Sequence, residues 1–197
     1  MSFLLGVTGS IGMGKSTTAK MFAAEGCALW DADAAVHRLY SEGGAAVEPI
    51  ADLFPEAIEN QMVSRNKLKT IIDHDPSALK QIEAIVHPLV AQDRQDFISR
   101  TDADIIVLDI PLLFENGFET KVDAVACVSV QTNVQRQRVL ERGTMTKAQF
   151  DAILARQMPN EEKCARSDFV IETDTLEHAR RQVHDVVAQI KSRLANA

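Results

Sequence analysis

The chain has few cysteines and no excess of positive charge. Its three cysteines, Cys27, Cys127 and Cys164, are odd in number and lack the spacing of a metal site. Scattered thiols of this kind are typical of a reducing compartment, so we expect a cytoplasmic location. The net charge of -7 argues against nucleic acid or an anionic membrane as a partner, because both attract clustered lysine and arginine.

Aromatic residues and long apolar runs are also scarce. Aromatic side chains make up 5% of the 197 residues. The apolar runs are far shorter than a membrane span, and no targeting segment is expected ahead of the first predicted strand. With 46% hydrophobic and 25% charged residues, the composition predicts a globular protein with room for one α/β domain and a small insertion.

The most informative motif lies at residues 9–16, which read Gly-Ser-Ile-Gly-Met-Gly-Lys-Ser. This is a complete phosphate-binding loop of the pattern G-x-x-x-x-G-K-[ST]. An apolar run at 3–7 predicts a strand before it, and residues 17–25 predict a helix after it. Glycines let backbone N–H groups surround an anion, and the start of a helix favours negative charge.

The loop predicts a nucleoside triphosphate bound with Mg²⁺. Lys15 brings a positive charge to the β- and γ-phosphates, and the Ser16 hydroxyl is a ligand for the metal. The alternative is a chance glycine turn before a helix, which the complete pattern and its flanks disfavour.

Five short apolar runs predict strands, separated by helical stretches: 3–8, 27–30, 105–108, 123–130 and 169–171. Apolar strands alternating with helices indicate an α/β fold, here a five-stranded parallel sheet covered by helices on both faces, as in P-loop NTPases. A gap of roughly 70 residues separates the second and third strands, far more than one crossover helix needs.

Additional helices are predicted in that gap and near the end of the chain. They cover 34–41, 44–54, 65–73, 76–100, 132–142, 146–158 and 175–195. We therefore expect one kinase chain in three parts: a core (1–33, 103–131 and 167–197), a helical acceptor insertion (34–102) and a helical lid (132–166).

Carboxylates follow two of the predicted strands. Ligands of parallel sheets bind beyond the carboxyl ends of strands, which makes Asp31, Asp33 and Asp109 candidates. Of Asp31 and Asp33, one is expected to orient an acceptor hydroxyl and take its proton while the other caps the next helix; the alternative is that both only cap. Asp109 is expected near Mg²⁺, the alternative being an ordinary carboxylate at a strand end.

Arginines are dense in the predicted lid, at Arg136, Arg138, Arg142 and Arg156. Phosphoryl transfer spreads negative charge over the oxygens of the moving group, and arginine stabilises it with fixed donors. At least one of the four is expected to act on the phosphates; the alternative is a solvated helical face.

Several segments, in this order, resemble the bacterial dephospho-CoA kinases over nearly the whole chain. They are residues 6–17 around the phosphate loop, D-A-D at 31–33, H-P at 87–88, P-L-L-F-E at 111–115, and R-Q-M-P through S-D-F-V-I at 156–171. That family transfers the γ-phosphate of ATP to the ribose 3′-hydroxyl of dephospho-CoA, the last step of coenzyme A biosynthesis.

The resemblance implies roles for individual residues. Asp33 would be the base, and the lid residue Arg142 would reach the phosphates; Lys15 as a phosphate ligand and Ser16 and Asp109 as Mg²⁺ ligands remain the expectations from the loop and the strand end. The loop residues that would hold ATP are Gly12, Met13, Gly14, Lys15, Ser16 and Thr17. Those that would face the acceptor are Asp33, His87, Leu113, Phe114 and Glu115. Glu172-Thr173-Asp174 stands where the family often has an Asn near the adenine, so no adenine contact is assigned.

Two alternative functions have to be distinguished from that of a dephospho-CoA kinase. Another P-loop small-molecule kinase, such as a nucleoside monophosphate kinase, would share the phosphate machinery and differ in the acceptor pocket. A GTP-dependent switch would require an N-K-x-D segment, but the Asn66-Lys67 pair is followed by Leu68-Lys69. The expected partners are ATP and dephospho-CoA, with a monomer expected and an oligomer left open.

Overall fold

A computed structural model of the chain describes residues 2–196. Its strands are β1 (Phe3–Thr8), β2 (Ala28–Asp31), β3 (Ile58–Glu59), β4 (Met62–Val63), β5 (Ile105–Asp109), β6 (Ala124–Ser129) and β7 (Phe169–Glu172). Its helices are α1 (Lys15–Ala24), α2 (Ala32–Tyr40), α3 (Val47–Leu53), α4 (Arg65–His74), α5 (Ala78–Arg100), α6 (Thr132–Glu141), α7 (Lys147–Leu154), α8 (Asn160–Ala165) and α9 (Leu176–Ala195).

The main sheet has five strands in the order β2-β5-β1-β6-β7. Strand β1 lies parallel to β5 on one side and to β6 on the other, and β6 lies parallel to β7. This is the five-stranded α/β sheet that the sequence predicted, because continuous apolar runs suit strands buried on both faces. All five residues of β5 are buried.

Helices α1 and α9 complete the core of this sheet. The one-sided apolar stripe of α9, including Val183, Val187 and Ile190, belongs to the same buried cluster as Phe22 of α1 and Leu5 of β1. Removing these side chains from water supplies the main stabilisation of the layer. The consequence for function is that the loop between β1 and α1 is anchored on both sides.

The register of the sheet sets which residues meet at its carboxyl edge. Val7 of β1 is the register partner of Asp109 of β5. The phosphate loop starts two residues after Val7, so the end of β5 lies beside the start of that loop. Ligands of parallel α/β sheets bind at this edge.

The chain divides into two compact units, of which the smaller comprises Asp31–Arg100. Its own apolar core includes Leu39 of α2, Ile50 of α3, Leu68 of α4 and Val86 of α5. The larger unit comprises the residues before and after this segment.

Three features differ from the sequence prediction. The hairpin of β3 and β4 was not predicted; it turns at Asn60 and Gln61, whose φ angles are 48° and 61°, as a two-residue hairpin loop requires. The single helix predicted over 146–158 is shorter, and α7 ends at Leu154. A further helix, α8, follows Pro159. Among residues 2–196, no helix is both long and apolar enough to cross a bilayer.

Candidate active site

The phosphate loop has a backbone that only glycine suits at two positions. Gly12 and Gly14 have φ angles of 80° and 93°, which side chains other than glycine rarely adopt. A Cβ atom on Gly12 would also lie 2.4 Å from Val139 Cγ2. Gly14 is the N-cap of α1, so the unpaired N–H groups of that helix point toward the loop, as anion binding requires.

Lys15, the first residue of α1, forms an ion pair with Asp109 at the end of β5. Both side chains are shielded from water, being 14% and 2% exposed. A buried carboxylate is stable only with a charged or hydrogen-bonding partner, and Lys15 provides it. The structure thus brings together two residues that the sequence assigned to phosphate and metal chemistry.

Ser16 is exposed on the first turn of α1. A hydroxyl and a carboxylate supply the hard oxygen ligands that Mg²⁺ prefers, so Ser16 and Asp109 fit this ion by their donor chemistry. Thr17, the next residue, is also exposed.

Three amide side chains from the predicted lid hold the first half of the phosphate loop. The Ser10 N–H donates to Asn160 Oδ1 at 2.9 Å, and the Ile11 N–H donates to Gln157 Oε1 at 3.2 Å. Gln135 Nε2 donates to the Ile11 carbonyl at 2.7 Å. These contacts fix the backbone at Ser10 and Ile11, the residues that precede Gly12 and Gly14 in the loop.

Arg142 lies at a cavity of about 400 Å³ beside the second half of the phosphate loop. It is exposed and directly follows α6. The cavity is lined in part by Gly14, Thr17, Arg138, Arg142, Thr173 and Leu176. The sequence-predicted lid arginine and the phosphate loop therefore border the same space.

Arg138 has a different environment from Arg142. Its guanidinium donates to Thr173 Oγ1 at 3.0 Å and to the Thr173 carbonyl at 2.5 Å. The Thr173 hydroxyl in turn donates to the Met13 carbonyl at 2.7 Å. Thr173 lies in the segment where the resemblance led us to expect an Asn. Its hydrogen bond to Met13 supports the phosphate loop, and Met13 itself is buried.

Leu113 and Phe114, which were expected to face the acceptor, have buried side chains in this structure. Leu113 is fully buried, and a Cβ on Gly6 would lie 2.5 Å from its Cδ1 atom. Phe114 is 5% exposed, with the Arg166 guanidinium 4.7 Å from the centre of its ring. Both side chains pack inside the larger unit, and their contact with the acceptor stays a prediction.

Glu115, the next residue, is tied to α8 by a buried lysine. Lys163 is fully buried, and its Nζ lies 2.8 Å from Glu115 Oε1 and 3.3 Å from the Pro111 carbonyl. The Met158 N–H donates to the same Glu115 oxygen at 2.9 Å. Burial alone would raise the pKa of Glu115, but the bonds from Lys163 and Met158 outweigh it and hold this pKa below its ordinary value. Within residues 2–196, Glu115 Oε2 is buried without a hydrogen-bond partner.

Asp31, Asp33 and His87 belong to the smaller unit. Asp31 is the N-cap of α2, and its Oδ1 accepts from the Ala34 N–H at 2.9 Å. Asp33 is exposed on the first turn of α2, and among residues 2–196 its carboxylate has no hydrogen-bond or ion-pair partner. His87 is exposed on α5.

The comparisons with known proteins agree with this geometry. The sequence profile of the dephospho-CoA kinase family matches residues 3–178. The chain belongs to that family. A dephospho-CoA kinase of Ruegeria pomeroyi is 68% identical over 192 residues, which is 98% of each chain.

Solved structures agree with the fold of this dephospho-CoA kinase family member. The Thermus thermophilus protein TT1252 has a TM-score of 0.84 at 32% identity, covering 95% of this chain and 97% of its own. A dephospho-CoA kinase from Campylobacter jejuni has a TM-score of 0.67 at 20% identity, covering 96% of this chain and 97% of its own. At that identity, the second likeness concerns the fold alone.

Family membership confirms four expectations from the sequence. The family, the α/β P-loop fold, the function as a kinase that phosphorylates dephospho-CoA, and the use of ATP with Mg²⁺ are those predicted. The individual site residues and the division into core, insertion and lid stay predictions. Sequence reasoning assigned no function to Gln135, Gln157, Asn160 and Lys163, although the last three lie in the R-Q-M-P-x-x-E-K segment at 156–163.

Proposed function

We propose that this chain transfers the γ-phosphoryl group of ATP to the ribose 3′-hydroxyl of dephospho-CoA, with the phosphate loop as the donor site and Asp33 as the base. One observation carries the proposal: a complete phosphate loop, with Lys15 paired to Asp109, in a chain whose family profile spans residues 3–178. The products are ADP and coenzyme A.

The donor phosphates are held by the loop and by two cations. Backbone N–H groups of residues 12–17 surround the phosphates, and the start of α1 adds its positive dipole end. Lys15 reaches the β- and γ-phosphates, and Arg142 approaches them from the other border of the 400 Å³ cavity. Their charges are worth most in the transition state, where negative charge spreads over the transferred group.

Ser16 and Asp109 would hold the metal. When bound there, Mg²⁺ would supply positive charge that offsets the negative charge of the phosphates. Asp109 then serves two partners, because its carboxylate also pairs with Lys15. This arrangement keeps Lys15 oriented toward the sheet edge where the phosphates bind.

Asp33 acts on the acceptor. As the bond from the 3′-oxygen to the γ-phosphorus forms, the bond from that phosphorus to the β–γ bridging oxygen breaks, and ADP leaves. The proton of the 3′-hydroxyl passes to the Asp33 carboxylate. Support for choosing Asp33 over Asp31 is that Asp31 already accepts from the Ala34 N–H, whereas Asp33 is exposed with its carboxylate available.

The remaining assignments follow the family. The insertion 34–102, with His87, and the loop ending at Glu115 face the acceptor, and residues 132–166 act as a lid that excludes water from the γ-phosphate. The enzyme works as a cytoplasmic monomer on ATP and dephospho-CoA, without nucleic acid or membrane partners, in keeping with its net charge of -7.

The position of the new phosphate tests the proposal. With Mg-ATP and dephospho-CoA, we expect stoichiometric ADP and a product with the mass and phosphorus spectrum of coenzyme A. The matched control is 3′-deoxy-dephospho-CoA, which keeps every other group of the acceptor and should yield no phosphorylated product. Phosphorylation of the deoxy analogue would overturn the assignment of the 3′-hydroxyl.

A further inference from the structure

Two thiols that the kinase reaction does not use lie in contact inside the larger unit. Cys127 Sγ on β6 is 3.5 Å from Cys164 Sγ on α8. Cys127 is fully buried, whereas Cys164 is only half-buried and is the more accessible of the two residues. The third thiol, Cys27, is buried elsewhere in the core, and burial raises its pKa to about 11, which keeps it unreactive.

The separation of the two sulfurs, 3.5 Å, is a short distance from that of a disulfide. A disulfide brings its sulfurs to about 2.05 Å, so the two sulfurs must approach by roughly 1.5 Å. Cys164 lies on α8, a helix of six residues that follows Pro159. A short helix between two loops can make such a shift more easily than β6, the strand that carries Cys127, which is paired on both sides within the sheet.

The two thiols differ in reactivity. Burial, followed by the neighbouring Cys164 sulfur, raises the pKa of the Cys127 thiol. Burial therefore disfavours the thiolate form of Cys127. The accessible thiol is the one that an oxidant meets first, and the buried one is positioned to resolve the product.

Asn160 connects both sulfurs to the phosphate loop. Its Nδ2 donates to Cys164 Sγ at 3.6 Å, and its Oδ1 accepts from the Cys127 thiol at 3.9 Å. The same Oδ1 accepts from the Ser10 N–H at 2.9 Å. Joining the sulfurs removes the S–H donor and moves α8, on which Asn160 is the first residue.

We propose that Cys127 and Cys164 are an oxidisable dithiol, and that their disulfide weakens nucleotide binding through Asn160. The oxidant class is a peroxide. Hydrogen peroxide takes two electrons from the Cys164 thiolate, giving a sulfenic acid and hydroxide. The Cys127 sulfur then attacks that sulfur, and a water leaves with the thiol proton. In total, two thiols and one peroxide give one disulfide and two waters, and a dithiol reductant reverses the change.

The first experiment maps the bond in the folded full chain and does not depend on the proposed function. After hydrogen peroxide treatment, unreacted thiols are alkylated in denaturant and the protein is digested with trypsin. We expect a single alkylated thiol, Cys27, and a linked pair of peptides, residues 122–136 with residues 164–166. The Cys27→Ser variant should give the same linked pair, and Cys164→Ser should give none while leaving β6 intact.

The second experiment measures the effect on the loop, and this part rests on the proposed function. Oxidised wild type should bind Mg-ADP at least roughly five-fold more weakly than reduced wild type. Dithiothreitol should restore the affinity, and Cys164→Ser should be indifferent to peroxide.

Each arm has its own contradicting result. Conversion of Cys164 to a sulfinic or sulfonic acid while Cys127 remains alkylatable would overturn the dithiol. Formation of the disulfide with unchanged Mg-ADP affinity would overturn the coupling through Asn160. Failure of the reduced enzyme to bind Mg-ADP would count against the proposed function and the coupling, and the peptide map would still decide on the disulfide.

Discussion

Asp31 and Asp33 are two residues apart and have different surroundings. Asp31 satisfies the Ala34 N–H at the start of α2, which is a structural role. Asp33 is exposed on the first turn of the same helix. Their spacing in the sequence left open which of them caps, and the hydrogen bond of Asp31 answers that part of the question.

Exchanging each carboxylate for its amide tests the division of roles. Asp33→Asn should lower kcat by a factor of about 10² to 10⁴, because the base that accepts the hydroxyl proton is lost. The KM for ATP should stay near that of the wild type. Asp31→Asn is the matched control: Asn is as good an N-cap as Asp, so its kcat should change little. Steady-state kinetics decides, and a loss of turnover confined to Asp31→Asn would contradict the assignment.

Lys15, to which we assign a catalytic role, also forms an ion pair that should stabilise the fold. Lys15→Met removes the partner of the buried Asp109 carboxylate, so the free energy of unfolding should fall by about 3 kcal/mol. Adding Asp109→Asn should recover a large part of that stability without restoring turnover. Urea unfolding and kinetics on the two variants separate the effects. Full stability of Lys15→Met would show that the ion pair contributes little to the fold.

Glu115 makes the stability depend on pH in the acid range. Its pKa is lowered in the folded chain, after the opposing effect of burial, by Lys163 and Met158. Its contribution is therefore complete above the ordinary carboxyl pKa and is lost as pH falls through the lower folded value. Glu115→Gln should be less stable than wild type at neutral pH, and the two should converge in acid. Urea titrations across this range test it, with the exposed Glu162→Gln as control; parallel curves would contradict the claim.

At the scale of elements, the predicted lid is attached to the phosphate loop through amide side chains. Asn160 at the start of α8 and Gln157 just before it accept from the first N–H groups of the loop, and Gln135 of α6 donates to it. Glu115 and Lys163 add a second attachment, between α8 and the loop after β5. Shifts of α8 are therefore passed to the residues that bind phosphate.

Gln157→Ala tests the amide contacts without touching a phosphate ligand. Loss of one hydrogen bond to the loop, worth about 1 kcal/mol, should weaken Mg-ATP binding roughly five-fold. The control is Gln137→Ala on α6, an exposed amide whose side chain bonds Glu141 at 2.7 Å and is away from the loop. Isothermal titration calorimetry measures both. Equal affinities for the two variants would contradict a role of Gln157 in shaping the loop.

The sequence was sufficient for elements with a strong local pattern. Buried apolar runs identified the five strands of the main sheet, and the glycine spacing identified the loop. The hairpin of β3 and β4 was missed, because each strand has only two residues and Glu59 and Met62 are exposed. The helix α8 was missed because it has six residues and follows a proline.

Contacts between distant residues were beyond the sequence. Asn160 meets Ser10 across 150 positions and Gln157 meets Ile11 across 146, and an amide side chain has no spacing rule that signals such a bond. For Leu113 and Phe114, contact with the acceptor stays a prediction. Their place in a family segment suggested substrate contact, whereas their apolar chemistry already favoured the buried positions that the structure gives them.

At the scale of the whole molecule, the chain has two compact units, each with its own apolar core. The larger unit contains the phosphate loop, Lys15, Asp109 and Arg142, the residues assigned to the donor. The smaller unit contains Asp33 and His87, the residues assigned to the acceptor. The net charge of -7 coexists with local cations at the phosphate site, since overall charge does not decide the sign of a cleft.

The most direct test of this account is the release of ADP by the purified protein with Mg-ATP and a panel of acceptors. The panel comprises dephospho-CoA, AMP, CMP and no acceptor. The account predicts turnover with dephospho-CoA and only background release with the other three. Turnover with AMP or CMP in place of dephospho-CoA would leave the phosphate-loop argument standing and contradict the acceptor.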